Sequence, residues 1–355
     1  MKIVLDAMGG DHAPAVVIDG AVMAAREFPG TEIILVGRED VIKTELARHD
    51  SAGLLLSIVH ASEVVEMEEH TEAVKGKKDS SMRVGMRLVK DGQADAFVSA
   101  GNSGGVMAAA LFDLGRIRGI KRPALATVYP AAPVPVLLLD MGANTDPKPE
   151  YLVQFALMAT IYVERMWGLS NPRVGIVSNG EEADKGSILV RDAYPLLQAS
   201  GLNFIGNVEG KDVTKGMADV VVTDGFTGNV MVKLSEGLVS FLVKYLKAEL
   251  TAGPLNKVGL LLMVPGILAM LPGLLLLTPS VRRIAKRMDY AEYGGAPLLG
   301  VDGVVIIGHG RSNAKAIKSA VRVAKEAVES GMVAAIKDGL KRSSITVVKE
   351  EKSDA

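Results

Sequence analysis

Two glycine- and hydroxyl-rich segments of the chain share a pattern that suits the binding of an oxyanion such as phosphate. Gly92–Met107 (GQADAFVSAGNSGGVM) is echoed 124 residues later by Gly216–Met231 (GMADVVVTDGFTGNVM), and eight of the sixteen positions are identical. Each copy reads as a short apolar strand, a turn and a helix start, which together present free backbone N–H groups and a positive helix end. An ordinary glycine-rich turn explains either copy alone, but the pair predicts an anion site. Its predicted phosphate-binding residues are Ser99, Gly101, Asn102, Ser103, Gly104, Gly225, Thr227 and Gly228.

Three polar residues near these turns could neutralise or stabilise charge. Lys185, in NGEEADKG, could neutralise phosphate as a point charge or could simply pair with the adjacent acids. Asn229 could donate to a developing oxyanion, or it could cap a helix that begins at Val230. Asp224 stands where the first copy has Ala100, and it could orient Lys185 or a histidine or accept backbone hydrogen bonds in the turn.

Two histidines lie in further glycine-containing loops. His309, in GHGRSN, follows an apolar run, and His12 lies in the loop after the first apolar run. Either imidazole could exchange a proton near neutral pH, and Arg311 could add a bidentate phosphate contact. The alternative for His12 is a hydrogen-bonded turn residue.

The elements that must position these residues alternate between apolar runs and helical patterns, which predicts a mainly parallel sheet with helices on both faces. Predicted strands are Lys2–Asp6, Glu32–Val36, Leu55–Val59, Ala96–Ser99, Ala124–Val128, Val134–Asp140, Val174–Ser178, Phe204–Asn207, Val220–Thr223 and Val304–Gly308. Predicted helices are Ala15–Glu27, Val41–Arg48, Met82–Asp91, Val106–Leu114, Glu150–Trp167, Ser187–Ser200, Val230–Leu250 and Ala314–Glu329. Six polar loops follow strand ends, where open α/β sheets bind ligands. We therefore expect the six loops to form one composite site.

Composition excludes several classes of function. The 355 residues include no cysteine, so disulfides, a thiolate nucleophile and a Cys-ligated metal are excluded. A net charge of −1 and 4% aromatic residues argue against a nucleic-acid partner. The chain has no P-loop, no GxGxxG after the first strand and no HExxH, so we expect neither a cofactor nor a metal. The N-terminus reads as a first strand rather than a signal peptide, which suits a cytoplasmic protein.

One segment departs from the profile of a soluble protein. No charged residue lies between Lys257 and Arg282, and Pro-Gly pairs at 265–266 and 272–273 predict two short apolar helical pieces within Val258–Leu277. The basic cluster that follows is typical of a segment in the membrane interface beside anionic lipid. A buried subunit interface and a true membrane span are the alternatives. The predicted membrane contacts are Leu261, Leu262, Ile267, Leu268, Leu271, Leu274 and Leu275.

Taken in order, six motifs resemble those of bacterial phosphate acyltransferases of the PlsX type. They are MKIVLDAMGGDHAP, SAGNSGG, LLDMGAN, SNGEEADKG, TDGFTGN and GHG, and the resemblance runs from Met1 to about Glu329. It implies a three-layer α/β/α fold related to phosphotransacetylases and the isocitrate dehydrogenase-like group. It also implies that orthophosphate attacks the thioester of long-chain acyl-acyl carrier protein directly, so that the acyl phosphate feeds phospholipid synthesis. The further implications are a homodimer, peripheral association with the inner face of the cell membrane, and a downstream glycerol-3-phosphate acyltransferase that uses acyl phosphate.

These inferences predict three parts of the chain: a two-lobed catalytic unit over residues 1–340, an apolar and basic helical insertion at 254–290, and a flexible tail at 341–355. Three other functions remain open at this point. They are a short-chain phosphate acetyl- or butyryltransferase that uses acyl-coenzyme A, a decarboxylating dehydrogenase on a related scaffold, and a non-catalytic membrane adaptor for lipid-synthesis enzymes.

Overall fold

The computed structural model describes residues 1–131, 134–288 and 290–343. The chain divides into two compact units. The main unit comprises Met1–Gly228 and Tyr290–Ala355, and the helical unit comprises Asn229–Asp289. The helical unit therefore begins earlier in the chain than the predicted insertion at 254–290. The predicted tail lies outside the described residues from position 344 onward.

The main unit is built on one sheet with helices along both of its faces. Its strands are β1 (Lys2–Asp6), β2 (Glu32–Gly37), β3 (Leu56–His60), β4 (Ala96–Ser99), β5 (Ala124–Tyr129), β6 (Val136–Leu139), β7 (Val174–Ser178), β8 (Phe204–Glu209), β9 (Val220–Val222), β10 (Ala296–Leu299) and β11 (Val304–Ile307). The helices of the chain are α1 (Ala15–Glu27), α2 (Glu39–Leu46), α3 (Ala73–Gly76), α4 (Ser81–Lys90), α5 (Ser103–Asp113), α6 (Pro149–Trp167), α7 (Ile188–Gln198), α8 (Gly210–Val213), α9 (Gly225–Thr251), α10 (Gly253–Ala269), α11 (Leu271–Met288), α12 (Tyr290–Tyr293), α13 (Ala314–Glu329) and α14 (Met332–Arg342).

The order of the strands across the sheet is β3-β2-β1-β4-β11-β10-β5-β6-β9-β7-β8. Seven of the ten strand pairings are parallel, and the three antiparallel ones are β11–β10, β10–β5 and β5–β6. The mainly parallel sheet is thus confirmed. The three reversals also mean that β6, β7, β8 and β9 run opposite to β1, β2, β3, β4 and β11 along the ladder. The predicted equivalence of the six polar loops is therefore wrong, because three follow strands of one direction and three follow strands of the other.

Two hydrophobic layers cover the sheet. One face packs against α1, α6, α7, α13 and α14 through a cluster that includes Ile18, Phe155 and Ile317. The other face packs against α4 and α5 through a cluster that includes Met86 and Val106. Strands buried on both faces are apolar at nearly every position, which is why the sequence shows them as continuous runs.

The predicted boundaries agree closely for the long periodic elements and less well elsewhere. Helix α1 and strand β1 match to the residue, whereas α9 begins five residues before the predicted start at Val230. Strand β10 was not predicted. It contains four residues with Pro297 among them, and a proline inside a run argues against a strand.

The helical unit consists of the greater part of α9 together with α10 and α11. Helix α10 runs through Pro265, and the break between α10 and α11 falls at Met270, so the predicted interruption at Pro265-Gly266 is wrong. The amide of Met270 still donates to the carbonyl of Gly266, so hydrogen bonding continues beyond the proline. Of the described helices, α9 is long and apolar enough to cross a membrane by length and composition alone.

Candidate functional site

The loops that follow β1, β4 and β11 are joined to one another by hydrogen bonds, and we call them the first loop cluster. The amide of Asp11 donates to the carbonyl of Gly310 (2.8 Å), and the amide of Gly308 donates to the carbonyl of Ser99 (2.7 Å). Adjacent parallel strands bring these carboxyl ends together, as open α/β sheets do at ligand sites. The structure therefore brings the loop of His12, the loop of His309 and the first turn of the repeat into one place.

A buried carboxylate braces the first turn from behind. The hydroxyl of Ser99 donates to Oδ2 of Asp6 (2.7 Å) and accepts the amide hydrogen of Gly101 (3.0 Å). Burial raises the pKa of Asp6, although hydrogen bonds from Ser81, Ser99 and two backbone amides oppose this shift. A side chain at Gly9 would clash, since its Cβ would lie 2.6 Å from Oδ2 of Asp6 and 2.8 Å from the amide nitrogen of Gly101. Ser99 thus supports the turn, a role that the sequence did not assign.

The first turn leaves a group of donors open at the start of α5. Asn102 is the N-cap, and its Oδ1 accepts the amide hydrogen of Gly105 (3.1 Å). Within the described part of the chain, the amides of Asn102, Ser103 and Gly104 donate no hydrogen bond. Ser103 is exposed, and Asn102 and Gly104 are half-buried. Open amides at the N-terminus of an 11-residue helix form an anion-binding arrangement.

The second turn of the repeat is braced in a similar way, by Asp140 at the end of the strand run VLLLD. Its carboxylate accepts the amides of Leu125 (3.0 Å), Ala143 (3.1 Å) and Asn144 (2.7 Å), and burial raises its pKa. The carbonyl of Asn144 then accepts the amide of Gly225 (2.6 Å), which joins the loop after β6 to the turn after β9.

Asp224 caps the second turn. Its carboxylate accepts the amide of Thr227 (2.8 Å) and the hydroxyl of the same residue (2.7 Å), and its carbonyl accepts the amide of Gly228 (3.0 Å). Of the two roles proposed for Asp224, the structure supports the acceptance of hydrogen bonds within the turn. The amides of Gly225, Thr227 and Gly228, predicted to hold phosphate, all have partners within the chain. Asn229 does not cap the helix, since α9 begins at Gly225.

Lys185 lies in the exposed loop after β7. Its amide donates to the carbonyl of Glu182 (3.0 Å), and the side-chain amide of Asn207 donates to the same carbonyl (2.6 Å). In the part of the chain that the structure describes, no hydrogen bond joins this loop to either turn of the repeat. Its place beside bound phosphate therefore stays a prediction.

Three carboxylates near this loop could in principle hold a metal ion. Oxygen atoms of Glu181, Glu209 and Asp212 lie within 4.8 Å of one another. Two lysines already balance much of their charge, since Lys211 pairs with Glu209 and Lys215 pairs with Asp212.

The remaining candidates lie on the surface of the first loop cluster. His12, His309 and Arg311 are exposed, and both His309 and Arg311 have interaction partners. Either imidazole is accessible to a substrate, and the geometry does not select one as the proton carrier.

Sequence reasoning missed the bracing residues Asp6, Asp140 and Asn144. A signal for the two aspartates was present, because each ends an apolar strand run, in KIVLD and VLLLD, and a carboxylate there needs backbone donors. The link from Asn144 to Gly225 has no local signal, because it joins residues 81 positions apart (225 − 144).

The opposed strand directions do not by themselves separate the two turns in space. Five strand pairings lie between β4 and β9. At a sheet twist of about 20–25° for each pairing, the strand axes rotate by roughly 100–125° across that distance. Met141 and Ala143, which follow Asp140, pack against the same hydrophobic cluster as Val106 of α5. The loop after β6, which hydrogen-bonds to the second turn through Asn144, thus packs on the same hydrophobic cluster as the helix that begins at the first turn.

Comparison with known structures identifies the fold. A phosphotransacetylase from Streptococcus pyogenes matches with a TM-score of 0.60 at 17% identity, over 93% of this chain and 94% of that one. A branched-chain phosphotransacylase from Enterococcus faecalis V583 matches with a TM-score of 0.54 at 14% identity, over 92% of this chain and 99% of that one. The fold is therefore that of the phosphotransacetylases.

Sequence comparison then gives the family. A family model described as "Fatty acid synthesis protein" matches residues 1–335. The phosphate acyltransferase of Desulfitobacterium hafniense strain Y51 is 52% identical over 344 residues, which cover 96% of this chain and 98% of that protein. The chain belongs to this family of phosphate acyltransferases, as the ordered motifs predicted.

Proposed function

We propose that the protein transfers a long-chain acyl group from acyl carrier protein to orthophosphate, and that the acyl phosphate supplies phospholipid synthesis. The observation that carries this proposal is the set of open amides at the first turn, in a chain that belongs to a phosphate acyltransferase family. Backbone N–H groups at a helix N-terminus suit a tetrahedral dianion.

The reaction needs no nucleophile from the protein. A phosphate oxygen attacks the thioester carbonyl, the C–O bond forms, the C–S bond breaks, and the carrier thiol leaves with a proton. The absence of cysteine from the chain agrees with such direct transfer. The protein must then bring two anionic partners together and stabilise the tetrahedral oxyanion.

In this proposal each candidate residue has a separate task. The amides of Asn102, Ser103 and Gly104 hold phosphate, and Lys185 neutralises part of its charge. Asn229 donates to the oxyanion. His309 or His12 delivers the proton to the thiolate.

The two turns are proposed to face one cleft. The packing of Met141 and Ala143 on the cluster that contains Val106 supports this arrangement, as does the twist accumulated between β4 and β9. The first turn would bind phosphate, and the second would hold the start of α9 and Asn229 against the reacting thioester.

The direct test incubates the purified protein with long-chain acyl-acyl carrier protein and orthophosphate, and then measures acyl phosphate. We expect product only when the protein, an acyl thioester and orthophosphate are all present, and faster product formation with acyl-acyl carrier protein than with acyl-coenzyme A. Faster turnover with short-chain acyl-coenzyme A would favour the short-chain transferase, and no acyl phosphate from any donor would favour the adaptor. The variant Lys185→Ala should raise the KM for phosphate, whereas Lys185→Arg should retain most of the wild-type value.

A membrane surface is the proposed place of delivery, because a long-chain acyl phosphate is amphipathic. Of the predicted lipid contacts, Leu261, Leu262 and Leu275 are 69%, 74% and 63% exposed. The side chains of Ile267, Leu268, Leu271 and Leu274 lie outside the described residues.

Charged substitutions at Leu261 and Leu275 should release the protein from anionic vesicles while activity on soluble substrate persists. Unaltered vesicle binding together with a loss of dimer would instead place these side chains in a subunit interface. The homodimer itself is part of the proposal and is checked by measuring mass in solution.

A further inference from the structure

A segment from a distant part of the sequence lies against the first turn, and we call residues 64–77 the strap. The side chain of Asn102 holds it. Nδ2 of Asn102 donates to the carbonyl of Met67 and to the carbonyl of Glu69, both at 2.9 Å, while Oδ1 caps α5 through the amide of Gly105. One amide group thus fixes both the helix start and a segment more than 30 residues away in the chain.

A lysine closes the strap on itself. Nζ of Lys77 donates to the carbonyl of Val64 (2.6 Å) and to both carboxylate oxygens of Glu69 (2.7 and 2.6 Å). Hydrogen bonds from Lys77 and from the amide of Glu66 hold the pKa of Glu69 below its usual value. The hydrogen bond to Val64 joins the two ends of the strap, and the partly exposed ion pair ties its last residue to its middle, so the strap has a defined shape.

The strap touches two turns of the first loop cluster at glycines. A Cβ at Gly104 would lie 2.8 Å from Cγ2 of Thr71, and a Cβ at Gly310 would lie 2.6 Å from Cε of Met67. The amide of Gly104 is one of the open donors. The strap therefore passes beside the open amides and reaches the loop that carries His309.

We propose that Asn102 is a positioning residue that holds the strap as a wall around the bound phosphate, so that phosphate rather than water receives the acyl group. The inference rests on the proposed function. Water competes for the same thioester: its oxygen forms the C–O bond, the C–S bond breaks, the thiol takes a proton, and free fatty acid results. Exclusion of water by a closed segment suppresses this side reaction.

An asparagine is the residue that does both tasks at once. Serine and aspartate cap helices about as well as asparagine. Neither can replace the two donor bonds, because a serine hydroxyl is too short and has one hydrogen, and an aspartate would face two carbonyl oxygens with a carboxylate. Asn102→Ser and Asn102→Asp thus remove the strap contacts and keep the cap.

The test measures acyl phosphate and free fatty acid from the same reaction, for wild type and both variants, with long-chain acyl-acyl carrier protein and orthophosphate. We expect the ratio of free acid to acyl phosphate to rise about tenfold in each variant, which corresponds to the loss of about 1.4 kcal/mol of discrimination. The KM for phosphate should rise more than kcat falls. Hydrolysis of preformed acyl phosphate by each variant is measured separately and subtracted.

A matched control is Asn203→Ser. The side chain of Asn203 also donates to a backbone carbonyl of a distant loop, that of Asn171 (3.0 Å), but it lies just before the amino end of β8, away from the ligand loops. This variant should keep the wild-type product ratio.

A second readout follows the strap itself. Trypsin should cleave after Lys75 or Lys78, which are exposed, faster in Asn102→Ser than in wild type, and phosphate should slow cleavage of wild type only. Unchanged product ratios in both variants would overturn the proposal, and so would unchanged cleavage. If wild type makes no acyl phosphate, the proposed function fails, and the cleavage rates still decide whether Asn102 holds the strap.

Discussion

The two turns of the repeat share a sequence pattern, but their hydrogen bonding in the structure differs. Both follow an apolar strand, both are braced by a buried aspartate at the end of a neighbouring strand, and both begin a helix. They differ at the cap. A neutral amide, that of Asn102, caps the first turn, and the carboxylate of Asp224 caps the second.

One position accounts for most of the difference. Asp224 stands where the first copy has Ala100, and its carboxylate occupies both the amide and the hydroxyl of Thr227. Ser103 is the counterpart of Thr227, and no carboxylate among the described residues accepts a hydrogen bond from it. A negative charge at a helix N-terminus stabilises the helix and competes with an anionic ligand for the same donors. The comparison teaches that sequence similarity between two turns does not make them equivalent anion sites.

The largest expected effect is on stability, and it compares substitutions at Gly228 and Gly104, which occupy equivalent positions in the two turns. A Cβ at Gly228 would lie 1.9 Å from the carbonyl oxygen of Asp140, which is backbone, whereas a Cβ at Gly104 would lie 2.8 Å from the methyl carbon of Thr71 and 3.4 Å from Oδ1 of Asn102, both of which are side-chain atoms. We expect Gly228→Ala to lower the free energy of unfolding by about 3 kcal/mol or more and Gly104→Ala by about 1 kcal/mol or less. Urea unfolding of both variants checks this. Equal losses would show that the turns are packed alike.

The next effect concerns phosphate at the first turn. Ser103→Pro removes an open amide at the first helical position, where proline is tolerated, and the backbone of Asn102 (φ −53°, ψ 114°) is compatible with a following proline. Loss of a hydrogen bond to an ion costs about 1.5–3 kcal/mol, so the KM for phosphate should rise about 10- to 100-fold. Ser103→Ala keeps the amide and should raise it much less. If both variants raise the KM for phosphate by the same factor, the hydroxyl rather than the amide binds phosphate.

Local pattern predicted the strands and the turns well, because it fixes which residues are apolar and where glycine is needed. Helix α1 and strand β1 match to the residue. What local pattern could not give is the direction of each strand, which depends on the antiparallel pairings of β10 with β11 and β5 and of β5 with β6. It also could not give the contacts of Asn102 with Met67 and Glu69, or that of Asn144 with Gly225, because each partner is specified only by the folded chain.

A smaller effect tests whether Asp224 is what closes the second turn to anions. Asp224→Ala removes the cap of α9 and should cost about 1–2 kcal/mol of stability. It also frees the amide and hydroxyl of Thr227, so added phosphate should raise the unfolding midpoint more in this variant than in wild type. Asp224→Asn keeps an acceptor for the amide of Thr227, so both its loss of stability and its response to phosphate should be smaller than those of Asp224→Ala. A phosphate response identical to that of wild type would mean that geometry, not the carboxylate, excludes the anion.

The smallest expected effect is on the pH dependence of stability, and it compares the two bracing aspartates, Asp6 and Asp140. Burial raises the pKa of Asp6 and of Asp140 above the ordinary value of 3.8, so the folded protein holds each proton to higher pH than the unfolded chain does. Their contribution to stability is therefore greatest below pH 3.8 and is lost as pH rises through the folded-state pKa. Relative to Asp6→Asn and Asp140→Asn, wild type should lose stability over that window in urea unfolding.

Asp219 supplies a control of opposite sign. Burial alone would raise its pKa, yet hydrogen bonds from Arg173 lower it, so wild type should gain stability relative to Asp219→Asn as pH rises from the folded-state pKa to 3.8 and should keep that gain above it. If the stability of wild type relative to Asp6→Asn or Asp140→Asn also rises with pH, the hydrogen-bond donors around that carboxylate outweigh its burial. A difference between Asp6 and Asp140 would mean that the shared brace, like the shared turn, has diverged between the two halves of the repeat.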